Sequence, residues 1–181
     1  MKKVYEYSHL GGSEILQVTF PAINKEINDV IKSITKVTKT KISKEKTMMG
    51  EKLFSPIDLN QRFKDAFYKR DYKELKDKYT ITIPDSKIRL PGAFKQVDFV
   101  KGKVLIEVQF GKYPFMFYDL AKFQYFFNEN KANVGVEIVP CHNLQKFMSS
   151  GVSYGEQLVY DIERLKRHFP SVPVKIILVD I

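Results

Sequence analysis

The stretch that decides the fold is Asp98-Phe-Val-Lys-Gly-Lys-Val-Leu-Ile-Glu107-Val-Gln109, two apolar segments joined by a short turn at Gly102. Side chains alternate across a strand, so Glu107 and Gln109 must share one face of the second segment. The turn can fold Asp98 back beside Glu107. The resulting group of oxygen ligands is of the kind that a hard cation such as Mg2+ prefers.

The residues around Glu107 are almost all apolar, which is typical of a central strand that is covered on most of its surface. A charged glutamate in such a strand is costly unless it is paired or bound to a metal. Downstream patterns predict strands near 94–100 and 103–110, a helix over 114–128, a strand over 133–139, a helix over 151–168 and a strand over 174–179. We therefore predict an α/β fold with a mixed central sheet flanked by helices.

The first half of the chain adds a strand or extended arm over 3–9 and an amphipathic helix from Ile23 to Ile34, with apolar residues spaced three and four apart. Asp58 is predicted to cap a further helix that runs through Phe67. No internal repeat or linker interrupts the pattern, so residues 1–181 are predicted to form a single domain.

The composition favours an anionic partner, because 30 Lys and Arg residues outnumber 21 Asp and Glu residues, for a formal charge of +9. Nucleic acid is the commonest such partner, although charge alone leaves open a protein that is merely rich in lysine. Cys141 is the only cysteine, which fits a reducing cytoplasm. No apolar segment follows the N-terminal lysines and no run is long enough for a bilayer, so we expect a cytoplasmic protein without membrane contact.

Clustered carboxylates in a basic chain suggest metal-assisted cleavage of a phosphodiester. A metal held by carboxylates can activate a water and neutralise charge on the phosphate. Asp98 and Glu107 are the predicted catalytic ligands, and the carbonyl of Val108 is the predicted third ligand. Gln109 carries no charge and is no base, so we expect it to orient the attacking water or the phosphate. By itself this spacing is a weak motif.

The segment Asp98 with Glu107-Val108-Gln109-Phe110-Gly111-Lys112-Tyr113 resembles the active-site strand of the BglII- and BstYI-like type II restriction endonucleases, in the PD-(D/E)xK superfamily. Further segments are similar in the same order: residues 4–10, 43–47, 54–56, 136–140 and 148–154. The superfamily usually has lysine where this chain has Gln109, and this subfamily shares that departure.

The resemblance implies a restriction-endonuclease-like core, so that the single domain would be a catalytic endonuclease domain. It also implies a homodimer that surrounds duplex DNA and cuts a GATC-centred palindrome, RGATCY-like or AGATCT-like, to leave 5′ overhangs. The implied cofactor is Mg2+, with Mn2+ as a substitute and Ca2+ binding without cleavage. A cognate DNA methyltransferase of the same system is the implied partner, without a stable complex.

Lys112, directly after the site strand, is implied by the resemblance to contact a base edge or phosphate in the major groove; a solvated lysine at a helix start is the alternative. Ser149, Ser150 and Ser153 precede a predicted helix, where small hydroxyl groups can reach base edges or phosphates. Helix capping is the alternative for Ser153, with Glu156 completing a capping box.

Two further sets of residues carry open alternatives. Lys44 and Lys46 lie in a basic connector over 36–47, which is either a phosphate-contacting arm or a solvated loop. Glu74 either helps to place a water or metal from behind the ligands or is a surface glutamate. Glu137 either faces the site or lies at a sheet edge.

Two functions of other kinds compete with a restriction endonuclease. One is a DNA-binding protein of the same fold that does not cleave, in which Asp98, Glu107 and Gln109 would be relics. The other is a nuclease that selects DNA by shape, with the same metal site.

Overall fold

A six-stranded mixed sheet forms the centre of the computed structural model, which describes residues 1–181, in the strand order β1-β8-β7-β6-β5-β4. The strands are β1 (Lys2–His9), β2 (Lys41–Ile42), β3 (Lys52–Leu53), β4 (Lys73–Thr82), β5 (Arg89–Lys101), β6 (Val104–Val108), β7 (Val134–Pro140) and β8 (Val174–Asp180). The helices are α1 (Gly12–Val18), α2 (Pro21–Ser33), α3 (Pro56–Tyr68), α4 (Tyr113–Asn128), α5 (His142–Gln145) and α6 (Gly155–Leu165).

Strands β6, β7 and β8 run parallel, whereas β1, β4 and β5 each pair with a neighbour in antiparallel orientation. Every residue of β6 and β7 is buried, as expected for parallel strands that helices cover on both faces. The prediction of a mixed central sheet flanked by helices is confirmed.

One face of the sheet is covered by α4 and α6. Gly135 on β7 lets α4 approach closely, since an added Cβ would lie 2.4 Å from the ring of Phe123. Leu105 pairs with Gly135 and Glu107 with Glu137 in the parallel register, so all four residues face the same way. Glu107 therefore points into the layer between the sheet and α4.

Aromatic packing holds α3 on the other face. The rings of Phe67 on α3 and Phe99 on β5 have centroids 4.7 Å apart, and Phe63 packs against Phe110 at 5.9 Å. These residues belong to one continuous hydrophobic core. This packing sets α3 beside the end of β6, where the predicted site lies. No helix is both long and apolar enough to cross a bilayer.

Two helix starts differ from the sequence prediction. Ser55, not Asp58, caps α3, because its hydroxyl accepts a hydrogen bond from the Asp58 amide and Pro56 occupies the first helical position. The predicted capping box of Ser153 is also wrong: α6 begins at Gly155, and the carboxylate of Glu156 accepts the amide of His142 instead.

The basic connector contains a small hairpin that sequence patterns did not indicate. Strands β2 and β3 pair, and a 3-10 turn at Lys46–Met48 lies between them. The amide of Phe54, just after β3, donates to the carbonyl of Phe147 at 2.8 Å. The hairpin is thereby attached to the loop that carries the predicted DNA-contacting serines.

Candidate active site

The β5–β6 hairpin brings Asp98 and Glu107 together. Phe99 pairs with Ile106 and Val100 with Leu105, so the same register sets Asp98 beside Glu107. The turn passes through Gly102 with φ +58, a left-handed conformation that glycine adopts without strain. The two carboxylates thus lie on neighbouring strands where β6 ends.

Asp98 is exposed and lines an open cleft of about 320 Å³ together with Val108 and Glu74. Glu74 accepts a hydrogen bond from the Tyr68 hydroxyl at 3.2 Å and lies 3.7 Å from the ammonium of Lys64. The structure therefore places Glu74 in the same cleft as Asp98. The role of Glu74 in placing a water or metal stays a prediction.

Glu107 lies deeper, with 3% of its side chain exposed, and its Oε1 contacts the ammonium of Lys122 on α4. Burial raises the pKa of the Glu107 carboxyl well above its usual range, and the charges of Asp119 and Asp98 raise it further, whereas Lys122 lowers it. A cation close by favours the ionised form of this carboxyl. That cation is Lys122 here.

Asp119 and Lys122 were not predicted as site residues. Lys122 Nζ lies 2.7 Å from Asp119 Oδ1, and both side chains are largely buried between α4 and the sheet. Burial raises the pKa of Asp119 and opposes the charge on Lys122, but Glu107 and Asp119 together raise the pKa of Lys122. The signal was present in the sequence, because these are the only charged residues in α4.

The side-chain amide of Gln109 is held from two sides. Its Nε2 donates to Asp119 Oδ2 at 3.0 Å. Its Oε1 lies over Gly111, where an added Cβ would come within 2.4 Å of it. Because a carboxylate only accepts hydrogen bonds, the nitrogen must face Asp119 and the oxygen must face Gly111. The orientation of the amide is thereby defined.

The donors available to a metal are the carboxylates of Asp98 and Glu107 and the carbonyl of Val108. No group of three or more His, Cys, Asp or Glu side chains is arranged to hold a metal. Mg2+ takes one or two carboxylates from a protein and completes its coordination with waters and phosphate oxygens. The chemistry of these donors therefore fits Mg2+.

Glu137 lies fully buried on β7 beside Glu107, and neither of its carboxylate oxygens has a hydrogen-bond partner. Burial raises the pKa of Glu137 well above its usual range, and the nearby charges of Asp119 and Glu107 add to the effect. Of the two alternatives for Glu137, the structure shows the residue facing the site. A buried acid without partners is a cost to stability.

We expect Glu137→Met to raise the free energy of unfolding by about 1–4 kcal/mol near neutral pH, since an apolar residue of similar size removes the buried acid. The gain should shrink in mild acid. A carboxyl whose pKa is raised by folding stabilises the protein at low pH and loses that contribution as the pH rises. Urea unfolding at two pH values measures this, and an equal gain at both would contradict it.

A second cavity, of about 480 Å³, brings together two of the predicted DNA contacts. Its lining includes Lys112, Ser149 and, from the β2–β3 hairpin, Lys41 and Glu45. The ammonium of Lys41 contacts the hydroxyl of Ser149, and the amide of Ser150 donates to Glu45 Oε2 at 3.0 Å. The hairpin and the serine loop therefore form one surface, next to the end of β6.

The other predicted DNA contacts differ in their exposure. Lys44 and Lys46 are exposed on the hairpin. Ser153 is buried, its amide donates to the Gly111 carbonyl at 2.9 Å, and its hydroxyl lies 3.4 Å from Gln157 Oε1. Ser153 thus supports the segment after β6.

The chain is an α/β protein with a pair of carboxylates at the end of a central strand, and known proteins share its fold. A family model described as restriction endonuclease BglII/BglIII matches residues 4–179, so the chain belongs to this family. The type II restriction enzyme BglII of Bacillus subtilis is 28% identical over 127 residues, which cover 70% of this chain. This chain therefore spans 50% of the length of that relative.

Solved structures show the same fold. The crystal structure of restriction endonuclease BglII complexed with a DNA 16-mer superimposes with a TM-score of 0.76 at 24% identity, covering 100% of this chain and 79% of the other. The structure of free BglII gives a TM-score of 0.68 at 22% identity, with 100% and 80% covered.

Proposed function

We propose that this protein is a type II restriction endonuclease, a site-specific deoxyribonuclease that hydrolyses phosphodiesters of double-stranded DNA with Mg2+. The observation that carries the proposal is the placement of Asp98 beside Glu107 at the end of β6, in a chain that matches the BglII family over residues 4–179. We treat residues 1–181 as one catalytic domain.

Each residue at the end of β6 has a separate role in the proposal. Asp98, Glu107 and the carbonyl of Val108 would hold the metal, which when bound lowers the pKa of a water and neutralises charge on the phosphate. Gln109 directs its amide oxygen toward Gly111, and that oxygen would accept a hydrogen bond from the attacking water. Glu74 orders a water at the cleft.

The DNA-contacting surface consists of Lys112, Ser149 and Ser150 with the hairpin lysines Lys44 and Lys46, beside the metal ligands. The formal charge of +9 favours a polyanion, and a neighbour of the same fold was crystallised in complex with a DNA 16-mer. Ser153 belongs to this proposed surface through the loop that it shares with Ser149 and Ser150, and its amide donates to the carbonyl of Gly111.

From the resemblance to the family we infer a homodimer that cuts a GATC-centred palindrome to leave 5′ overhangs. A two-fold dimer would match such a two-fold symmetric site. Mn2+ would replace Mg2+, and Ca2+ would bind without cleavage. A methyltransferase of the same system would protect host DNA without a stable complex. The single cysteine, buried and unpaired, suits a protein of the cytoplasm.

The test is incubation of one unmethylated plasmid with Mg2+, Mn2+, Ca2+ or a chelator. Discrete fragments with Mg2+ and Mn2+, and intact plasmid with Ca2+ or chelator, support the proposal. Specific binding without cleavage in any metal would favour the non-cleaving DNA-binding protein. Fragments without fixed ends would favour the nuclease that selects DNA by shape.

We expect Lys112→Ala to weaken discrimination at one base pair of the site by about 1–3 kcal/mol, because a lysine that reads a base edge loses its contact only at that position. Binding in Ca2+ to the cognate duplex and to each single-base variant measures this. A uniform loss on all sequences, with a smaller salt dependence, would mean that Lys112 contacts phosphate alone.

A further inference from the structure

The helix above the sheet carries one cation into the layer where Glu107 lies. The side chain of Lys122 is 14% exposed, and the side chains of its partners Glu107 and Asp119 are 3% and 2% exposed. Its ammonium contacts both carboxylates. Gln109 is neutral and adds no charge. Lys122 is thus the only cation in contact with Glu107 and Asp119.

The contacts form a continuous chain from Lys122 to the two site residues of β6. Asp119 pairs with the ammonium of Lys122 through Oδ1 and accepts a hydrogen bond from the amide of Gln109 on Oδ2. Lys122 contacts Glu107 directly. One ammonium group therefore determines the position of the metal-binding carboxylate and, through Asp119, the orientation of the Gln109 amide.

We propose that Lys122 is a positioning residue of the cleavage reaction, which holds Glu107 directly and Gln109 through Asp119 in the arrangement that cleavage needs. This inference rests on the proposed function, since it assigns Lys122 a part in that same site.

A positioning role for Lys122 affects metal binding in a way that a purely structural ion pair does not. Lys122 and a divalent metal both attract the Glu107 carboxylate, so the ammonium competes with the metal while it improves the geometry of the site. Removing the ammonium should therefore tighten metal binding and slow cleavage. General damage to the fold would weaken both.

The experiment replaces Lys122 by methionine, which has a similar length and no charge. Titration calorimetry with Ca2+ should show about tenfold tighter binding to the Lys122→Met protein, the scale at which residues behind metal ligands affect affinity. The single-turnover cleavage rate in saturating Mg2+ should fall on the order of 10²-fold, as for a small misplacement of reacting groups. Specific DNA binding in saturating Ca2+ should stay close to wild type.

Two variants make the result specific. Lys131→Met removes an ion pair outside the site, in which Lys131 Nζ lies 2.7 Å from Asp77 Oδ2, the same distance as between Lys122 and Asp119. This variant should change neither Ca2+ binding nor cleavage. Lys122→Arg keeps the charge, so it should retain wild-type Ca2+ affinity and recover most of the rate. If Lys122→Met fails to fold, Asp119→Asn tests the same chain of contacts and should also slow cleavage.

Cleavage by Lys122→Met or Asp119→Asn at the wild-type rate would overturn the proposal, and so would weaker Ca2+ binding by Lys122→Met. If the wild-type protein itself does not cut DNA, the proposed function fails. The comparison of Ca2+ binding between Lys122→Met and Lys122→Arg would still decide whether Lys122 competes for Glu107.

Discussion

Asp98→Asn and Glu107→Gln should each abolish DNA cleavage in Mg2+ while sequence-specific binding in Ca2+ remains measurable. A bound metal supplies several kcal/mol of transition-state stabilisation, and about 4 kcal/mol corresponds to a rate loss of about 10³-fold. Both substitutions keep the shape of the side chain and remove its charge. The loss should therefore fall on the chemical step and not on the fold.

Single-turnover cleavage with enzyme in excess over one duplex measures the chemical step. Glu129→Gln is the matched control, because Glu129 is an exposed acid at the end of α4 and should leave the rate unchanged. The melting temperature of each variant shows whether the fold is intact. Full cleavage by either site variant would remove that residue from the metal-binding pair.

Gly111→Ala should reduce cleavage on the order of 10²-fold, because the new Cβ would lie 2.4 Å from Gln109 Oε1 and the amide would have to move. Glycine has no conformational advantage here, as no left-handed φ is required. The substitution therefore acts through the space that Gln109 occupies. The rate is again measured in single turnover, with saturating Mg2+.

A double-mutant cycle separates this mechanism from a local disturbance of DNA binding. If Gly111→Ala acts by displacing Gln109, the double variant Gln109→Ala with Gly111→Ala should cut no more slowly than Gln109→Ala alone. Additive losses would mean that Gly111 affects the reaction by another route, such as the carbonyl that accepts the Ser153 amide.

The sheet and the pair Asp98 and Glu107 could be predicted from sequence because both depend on local rules. Alternation along β6 sets the face of Glu107, and one turn at Gly102 sets its partner. The helix over 114–128 and the strand over 133–139 are equally local patterns, and the structure has them within a residue or two.

The partners of Glu107 on α4 depend on tertiary packing. Asp119 and Lys122 reach the site only because Gly135 lets Phe123 come close and fixes the rotation of α4 above the sheet. Residues three or four apart in a helix lie on the same face, so Asp119 and Lys122 are neighbours on α4. No local rule predicts which element of the fold this face packs against. The two charged residues in an otherwise uncharged helix were the one usable signal.

The proposed DNA-contacting surface also depends on tertiary packing. The similarity of residues 148–154 to the family drew attention to Ser149, Ser150 and Ser153 alike. Only tertiary contacts separate them: Ser149 meets Lys41 of the hairpin, whereas Ser153 is buried against Gly111. Backbone hydrogen bonds between distant segments leave no periodic trace in a sequence.

The most direct test of the central claim is to sequence the ends of all fragments from an unmethylated plasmid of known sequence, digested in Mg2+. We predict that every cut lies in a GATC-centred palindrome and leaves a 5′ overhang, and that Asp98→Asn produces none of these ends. Cuts at unrelated sequences, or an intact plasmid in every divalent metal, would contradict the assignment of this chain as a site-specific endonuclease.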